Sequence, residues 1–81
     1  MKIQVLGTGC MKCNKLYEET SKAIGQAGVE AELEKIEKID QIMKFGVAIT
    51  PALIIDGEVK ASGKVPKVEQ IVAWLKEMEP K

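Results

Sequence analysis

The sequence predicts an α/β fold in the order βαβαββα: a four-stranded mixed sheet with helices on both faces. Three observations predict it. The apolar period along the chain switches between two and about 3.6 and back again, so strands alternate with helices. The run Pro51-Ala52-Leu53-Ile54-Ile55 is apolar throughout, as in a central strand buried on both faces. Asp56-Gly57, directly after it, is a two-residue hairpin turn, which makes the next strand antiparallel.

Each element has its own signal. Residues Lys2 to Leu6 alternate, with β-branched Ile3 and Val5 on one face, and form the first strand. Gly7-Thr8-Gly9 is the turn out of it. From Cys10 to Ala27 the residues Cys13, Leu16, Tyr17, Thr20, Ala23, Ile24 and Ala27 recur at three- and four-residue spacing, the buried stripe of a first helix. Gly28 stands at the left-handed C-terminal cap, and Gly25 weakens the last turn by about 1 kcal/mol relative to Ala. Val29 to Ile36 alternates again: Val29, Ala31 and Leu33 point one way, Glu30, Glu32 and Glu34 the other. That acidic row suits a solvated edge strand, where charge opposes unwanted pairing. Lys38 to Phe45 is a short helix with Asp40 as its cap, Ile39, Ile42 and Met43 as its apolar side, and Gly46 as its stop. After the hairpin, Glu58 to Ala61 returns and Ser62-Gly63 ends it. Pro66 suits the first turn of the last helix, whose stripe is Val68, Ile71, Val72, Leu75 and Met78, and Pro80 ends the ordered chain. Trp74 and Tyr17 read as core or partly buried, and Glu18 and Glu19 as solvated.

Composition narrows the chemistry. The 81 residues suffice for one small domain, 1–81, with no linker or repeat. Twelve Lys balance twelve Asp plus Glu, and the chain has neither Arg nor His. Zero net charge argues against nucleic acid as a partner. Without His there is no Ser–His or Cys–His hydrolase, and without Arg there is no bidentate clamp for phosphate. No stretch approaches the roughly 20 apolar residues of a membrane span. The N-terminal segment has no cleavage-site pattern, so the expected compartment is the cytoplasm. There a close Cys pair reads as redox-active or metal-binding, not as a staple.

Cys10-Met11-Lys12-Cys13 lies where the first strand gives way to the first helix. A helix start presents unpaired N–H groups and a positive dipole end, and both favour a thiolate at Cys10. Cys13, three residues on, shares its face of the helix and can close a small ring with it. Cys10 is therefore the expected attacking thiol and Cys13 the resolving one. As a mere staple, so short a loop would add only ~2 kcal/mol. Lys12 is the expected tuner of the Cys10 thiolate, through a field that exposure and salt keep small. The alternative is copper(I) carriage, since two soft thiolates suffice for that ion, whereas two Cys without His do not complete a zinc site. Small copper carriers, however, run strand–helix–strand–strand–helix–strand, and this chain ends in a helix.

Gly7-Thr8-Gly9-Cys10-Met11-Lys12-Cys13, Gly46-Val47-Ala48-Ile49-Thr50-Pro51-Ala52-Leu53 and Asp56-Gly57 through Ala61-Ser62-Gly63-Lys64-Val65-Pro66 together resemble the small thioredoxin/glutaredoxin-like redox proteins of archaea and anaerobic bacteria. The resemblance covers essentially the whole chain. It implies a thioredoxin-like fold without the N-terminal extension of full thioredoxins. It implies thiol–disulfide exchange, with protein disulfides as substrates, a thioredoxin-reductase-type flavoprotein as electron donor, and a monomer that needs no cofactor or metal. It also implies a cis Thr50–Pro51 bond against the Cys pair, exposing the Thr50 backbone to an extended substrate segment. Thr50, Pro51, Met11 and Gly63 are the substrate-binding residues on this reading. The chain departs from the family in several places. Gly9 replaces the Trp that usually precedes the first Cys, and Met11-Lys12 replaces Gly-Pro between the two. Gln4 is all that the first strand offers in place of a buried Asp. Ser62-Gly63-Lys64 replaces the Gly-Gly-Asp of glutathione binders.

Overall fold

The computed structural model describes residues 1–8, 11–47 and 49–78. The expected attacking thiol Cys10, the end of the Gly7-Thr8-Gly9 turn, Ala48 and the terminal Pro80 lie outside the described residues.

The elements run β1 (Lys2–Leu6), α1 (Met11–Ala27), β2 (Glu32–Ile36), α2 (Ile39–Lys44), β3 (Ala52–Ile55), β4 (Glu58–Ser62) and α3 (Val68–Met78). The sheet order is β2-β1-β3-β4, with β1 and β2 parallel and the other neighbours antiparallel. This is the four-stranded mixed sheet that the sequence predicts. It brings the C-terminal ends of β1, β2 and β4 and the start of β3 to one end of the sheet. The loops that carry the Cys motif and Thr50-Pro51 therefore meet there.

Alternation on the strands sorts the core into two layers. Ile3, Val5, Leu53 and Ile55 pack with Leu16 and Ala23 of α1 and with Ile71 and Leu75 of α3. Leu6, Ile36, Ala52 and Ile54 face the other way, onto Ile42 of α2 and Val47. All four residues of β3 are buried, as its unbroken apolar run requires. Thr20, the buried polar member of the α1 stripe, donates its hydroxyl to the Leu16 carbonyl at 2.7 Å, which removes the cost of burying it. At the far end of the sheet, Asp56 (φ 48°) and Gly57 (φ 83°) form a hairpin turn with both central residues left-handed. The Asp56 carboxylate accepts the Lys2 N–H at 2.8 Å.

The structure corrects several expectations. β2 begins at Glu32, not Val29, because its pairing with β1 starts at Lys2 opposite Glu32, where the Met1 carbonyl accepts the Glu32 N–H at 2.9 Å. Asp40 does not cap α2: the N-cap is Lys38, without a side-chain bond, and Asp40 lies in the first turn, where its charge faces the positive dipole end. Of the α2 apolar side only Ile42 is buried, since a six-residue helix turns one position fully onto the sheet; Ile39 is 64% and Met43 68% exposed. Pro66 precedes the last helix, whose first turn closes with the Ile71 N–H on the Lys67 carbonyl. β4 runs one residue further than expected, to Ser62, across a register shift opposite Leu53 and Ile54.

Candidate active site

β1 is a central strand, and its ladder runs one residue past its end: the Gly7 N–H donates to the Ile36 carbonyl at 2.9 Å. The chain then turns and enters α1 at Met11. Cys13, the third residue of α1, is fully buried, and its side chain lies directly on the Gly7 backbone. A Cβ built on Gly7 would overlap Cys13 Sγ and stand 2.8 Å from Cys13 Cβ. Met11 is two residues earlier, hence about 200° around the helix, and is 88% exposed. The start of α1 thus turns one thiol into the protein and presents the rest of its first turn to solvent. Lys12 is exposed there as well.

The second half of the site is fastened by β4. The Thr50–Pro51 peptide is cis, and Pro51 is fully buried. The Gly63 N–H donates to the Pro51 carbonyl at 2.8 Å, and the Ser62 hydroxyl donates to the Ile49 carbonyl at 2.9 Å. Gly63 has φ +76°, and a Cβ there would come within 2.7 Å of Ile49 Cγ2. A side chain at 63 is therefore opposed both by conformation and by space. Thr50 is half-buried and lines an open groove of about 580 Å³ together with Thr8, Ile39, Ile42, Met43, Gly46 and Val47. That groove joins the two motifs, since Thr8 leads into the Cys segment and Thr50 into Pro51.

A third contact ties α1 to the sheet edge. Lys35 of β2 donates to Asn14 Oδ1 at 2.6 Å, lies 3.4 Å from a Glu37 carboxylate oxygen, and stands 5.9 Å from the centre of the Tyr17 ring.

The sequence-predicted residues thus fall into groups. Pro51 and Gly63 are joined by a hydrogen bond, and Thr50 is in the groove beside them. Met11 and Lys12 are at the start of α1 and are not among the residues that line the groove. The sequence marks Gly7 and Thr8 only as a turn, and Ile39 and Met43 only as the apolar side of a helix; the structure places Thr8, Ile39 and Met43 on the groove and Gly7 against Cys13. One signal for Gly7 was available: the first turn of a helix that follows a central strand lies over the strand end, so that end must be small. Chemically, a fully buried Cys13 thiol is closed to any bulky external disulfide.

Comparison with known proteins supplies the wider frame. Residues 1–76 match the family described as the thioredoxin domain. A thioredoxin of Methanothermobacter thermautotrophicus is 44% identical over 71 residues, which is 88% of this chain and 92% of that protein. A thioredoxin of Methanocaldococcus jannaschii is 39% identical over 74 residues, 91% of this chain and 85% of that protein. The copper(I) alternative finds no support among these relatives.

Proposed function

The chain belongs to the thioredoxin family and is a thiol–disulfide oxidoreductase; from that premise we propose that Cys10 is its attacking thiol and Cys13 its resolving thiol. The observation that carries this order is the complete burial of Cys13 against Gly7. Cys10 thiolate attacks one sulfur of a substrate disulfide, forms a mixed disulfide, and releases the first substrate thiolate, which takes up a proton. Cys13, as thiolate, then attacks the Cys10 sulfur. The Cys10–Cys13 bond forms, the Cys10–substrate bond breaks, and the second substrate thiolate leaves and is protonated. The substrate disulfide gains two electrons and the Cys pair loses them.

On this reading Thr50, Pro51, Met11 and Gly63 bind the substrate segment. Thr50 offers backbone beside the groove, the buried Pro51 backs it from below, Gly63 holds Pro51 in place through its N–H, and Met11 adds an exposed apolar contact next to Cys10. Lys12 steadies the Cys10 thiolate. Disulfide-containing proteins are the substrates, a flavoprotein reductase of thioredoxin-reductase type is the electron donor, and a cytoplasmic monomer is the working form.

The test is a pair of variants. Cys13→Ser should still be alkylated at neutral pH and should accumulate a mixed disulfide with a protein substrate such as insulin. Cys10→Ser should do neither. Trapping by Cys10→Ser in place of Cys13→Ser would reverse the roles.

A further inference from the structure

We infer that Gly7 is a positioning residue for the second half of the exchange: its missing side chain is the seat of the Cys13 sulfur and sets how fast Cys13 closes on Cys10. The inference rests on the reading of Cys13 as the resolving thiol. Three observations carry it. The Gly7 backbone is pinned, because it ends the central strand β1 and donates to the Ile36 carbonyl at 2.9 Å. Gly7 is buried, so an added methyl group would point into the interior and not into solvent. The three nearest atoms a Cβ there would meet all belong to Cys13: Sγ, Cβ at 2.8 Å and Cα at 3.9 Å. Nor is the glycine needed for a left-handed backbone, since positive φ occurs at Gly28, Gly46, Gly57 and Gly63 and not at Gly7. What is required at position 7 is space, and Cys13 is the nearest side chain to it.

A methyl group at Gly7 therefore has a specific effect. Rotating Cys13 about its single side-chain torsion moves Sγ but leaves Cβ too close, so the first turn of α1 must also lift. The resolving sulfur is then displaced from its seat on Gly7, and a misplacement of about 1 Å can cost around 100-fold in a positioned reaction. The chemistry of the step is unchanged: the Cys10–Cys13 bond forms, the Cys10–substrate bond breaks, and one substrate thiolate leaves.

One experiment separates the two steps. Reduced protein is mixed with dithiobis(nitrobenzoate), whose thiolate absorbs in the visible. The first coloured thiolate reports attack by Cys10, and the second reports resolution by Cys13. Gly7→Ala should slow the second phase roughly 10- to 100-fold and the first by no more than about threefold, whereas Gly25→Ala, which meets nothing within 4 Å, should change neither. A wild-type second phase in Gly7→Ala overturns the inference. Cys13→Ser isolates the underlying reading: if it still releases the second thiolate in a first-order step, Cys13 is not the resolving thiol; if it does not, that reading stands and Gly7 is judged by Gly7→Ala alone. Thermal melts cover the case in which Gly7→Ala fails to fold. In the Cys13→Gly background, which lacks both the sulfur and the Cβ, adding Gly7→Ala should lower Tm far less than it does in the wild-type background. An equal loss in both backgrounds also overturns the inference.

Discussion

Lys12 and Gly63 each bring a single physical effect to the proposed site, Lys12 near Cys10 in sequence and Gly63 on Pro51. Lys12 is an exposed cation two residues from Cys10, and reversing its charge removes an attraction and adds a repulsion. Lys12→Glu should slow alkylation of Cys10 at neutral pH about three- to tenfold at low salt. The effect should fade at 1 M salt, where the Debye length is about 3 Å. Identical alkylation rates at low salt would assign Lys12 to bulk solvent and leave the helix start as the source of activation. Gly63 combines φ +76° with a close approach to Ile49, and its N–H holds the Pro51 carbonyl. Gly63→Ala should therefore destabilise the fold by about 1–2 kcal/mol and also lower the rate of insulin reduction, because the loop it holds forms the groove wall beside Thr50. A stability loss with unchanged turnover would separate Gly63 from substrate binding.

At the C-terminal end of α1, two glycines three residues apart, one inside the helix and one just past it, should respond with opposite signs. Gly25 lies inside the helix, is exposed, and has free space around its Cα. Gly25→Ala should stabilise by about 0.5–1 kcal/mol, through helix propensity and a less disordered unfolded chain. Gly28 ends the helix at φ +67°, its N–H on the Ile24 carbonyl at 3.1 Å. Gly28→Ala should destabilise by about 1–2 kcal/mol. Melting should show the pair as Tm shifts of several degrees in opposite directions, since 1 kcal/mol is worth about 4–8 °C in a domain of this size. α2 shows where periodicity stops being informative. Its apolar Ile39, Ile42 and Met43 have helical spacing, but a helix of fewer than two turns buries one of them and leaves the other two beside the groove.

At the scale of the molecule, β3 is the layer both cores share. Leu53 faces α1 and α3, and Ile54 faces α2. Large-to-small changes in a core cost about 2–5 kcal/mol, against a total near 4–12 kcal/mol for 81 residues. Leu53→Ala and Ile54→Ala should each lower the urea midpoint sharply with an unchanged slope. Leu53→Ala should cost more, because short α2 can settle into the gap left by Ile54 while α1 and α3 brace one another. Equal midpoints for the two variants would show that both layers are equally rigid.

Periodicity alone determined the order of elements, the doubly buried β3, the acidic edge strand and the glycine caps, because alternation and helical spacing record which face of each element meets the core. The Cys motif at a strand-to-helix junction marked the chemistry for a related reason: dipole and chain direction are local properties. Thr50-Pro51 was legible only through the resemblance to a known family. Contacts between distant segments were decided only by the tertiary structure. The register of β1 against β2 moved the start of β2 to Glu32. The crossing of α1 over β1 put Cys13 onto Gly7, and the end of β4 placed Gly63 under Pro51. A sequence states what each residue can do, but which backbone must stay bare for a sulfur to fit depends on two elements meeting, and only the folded chain brings them together.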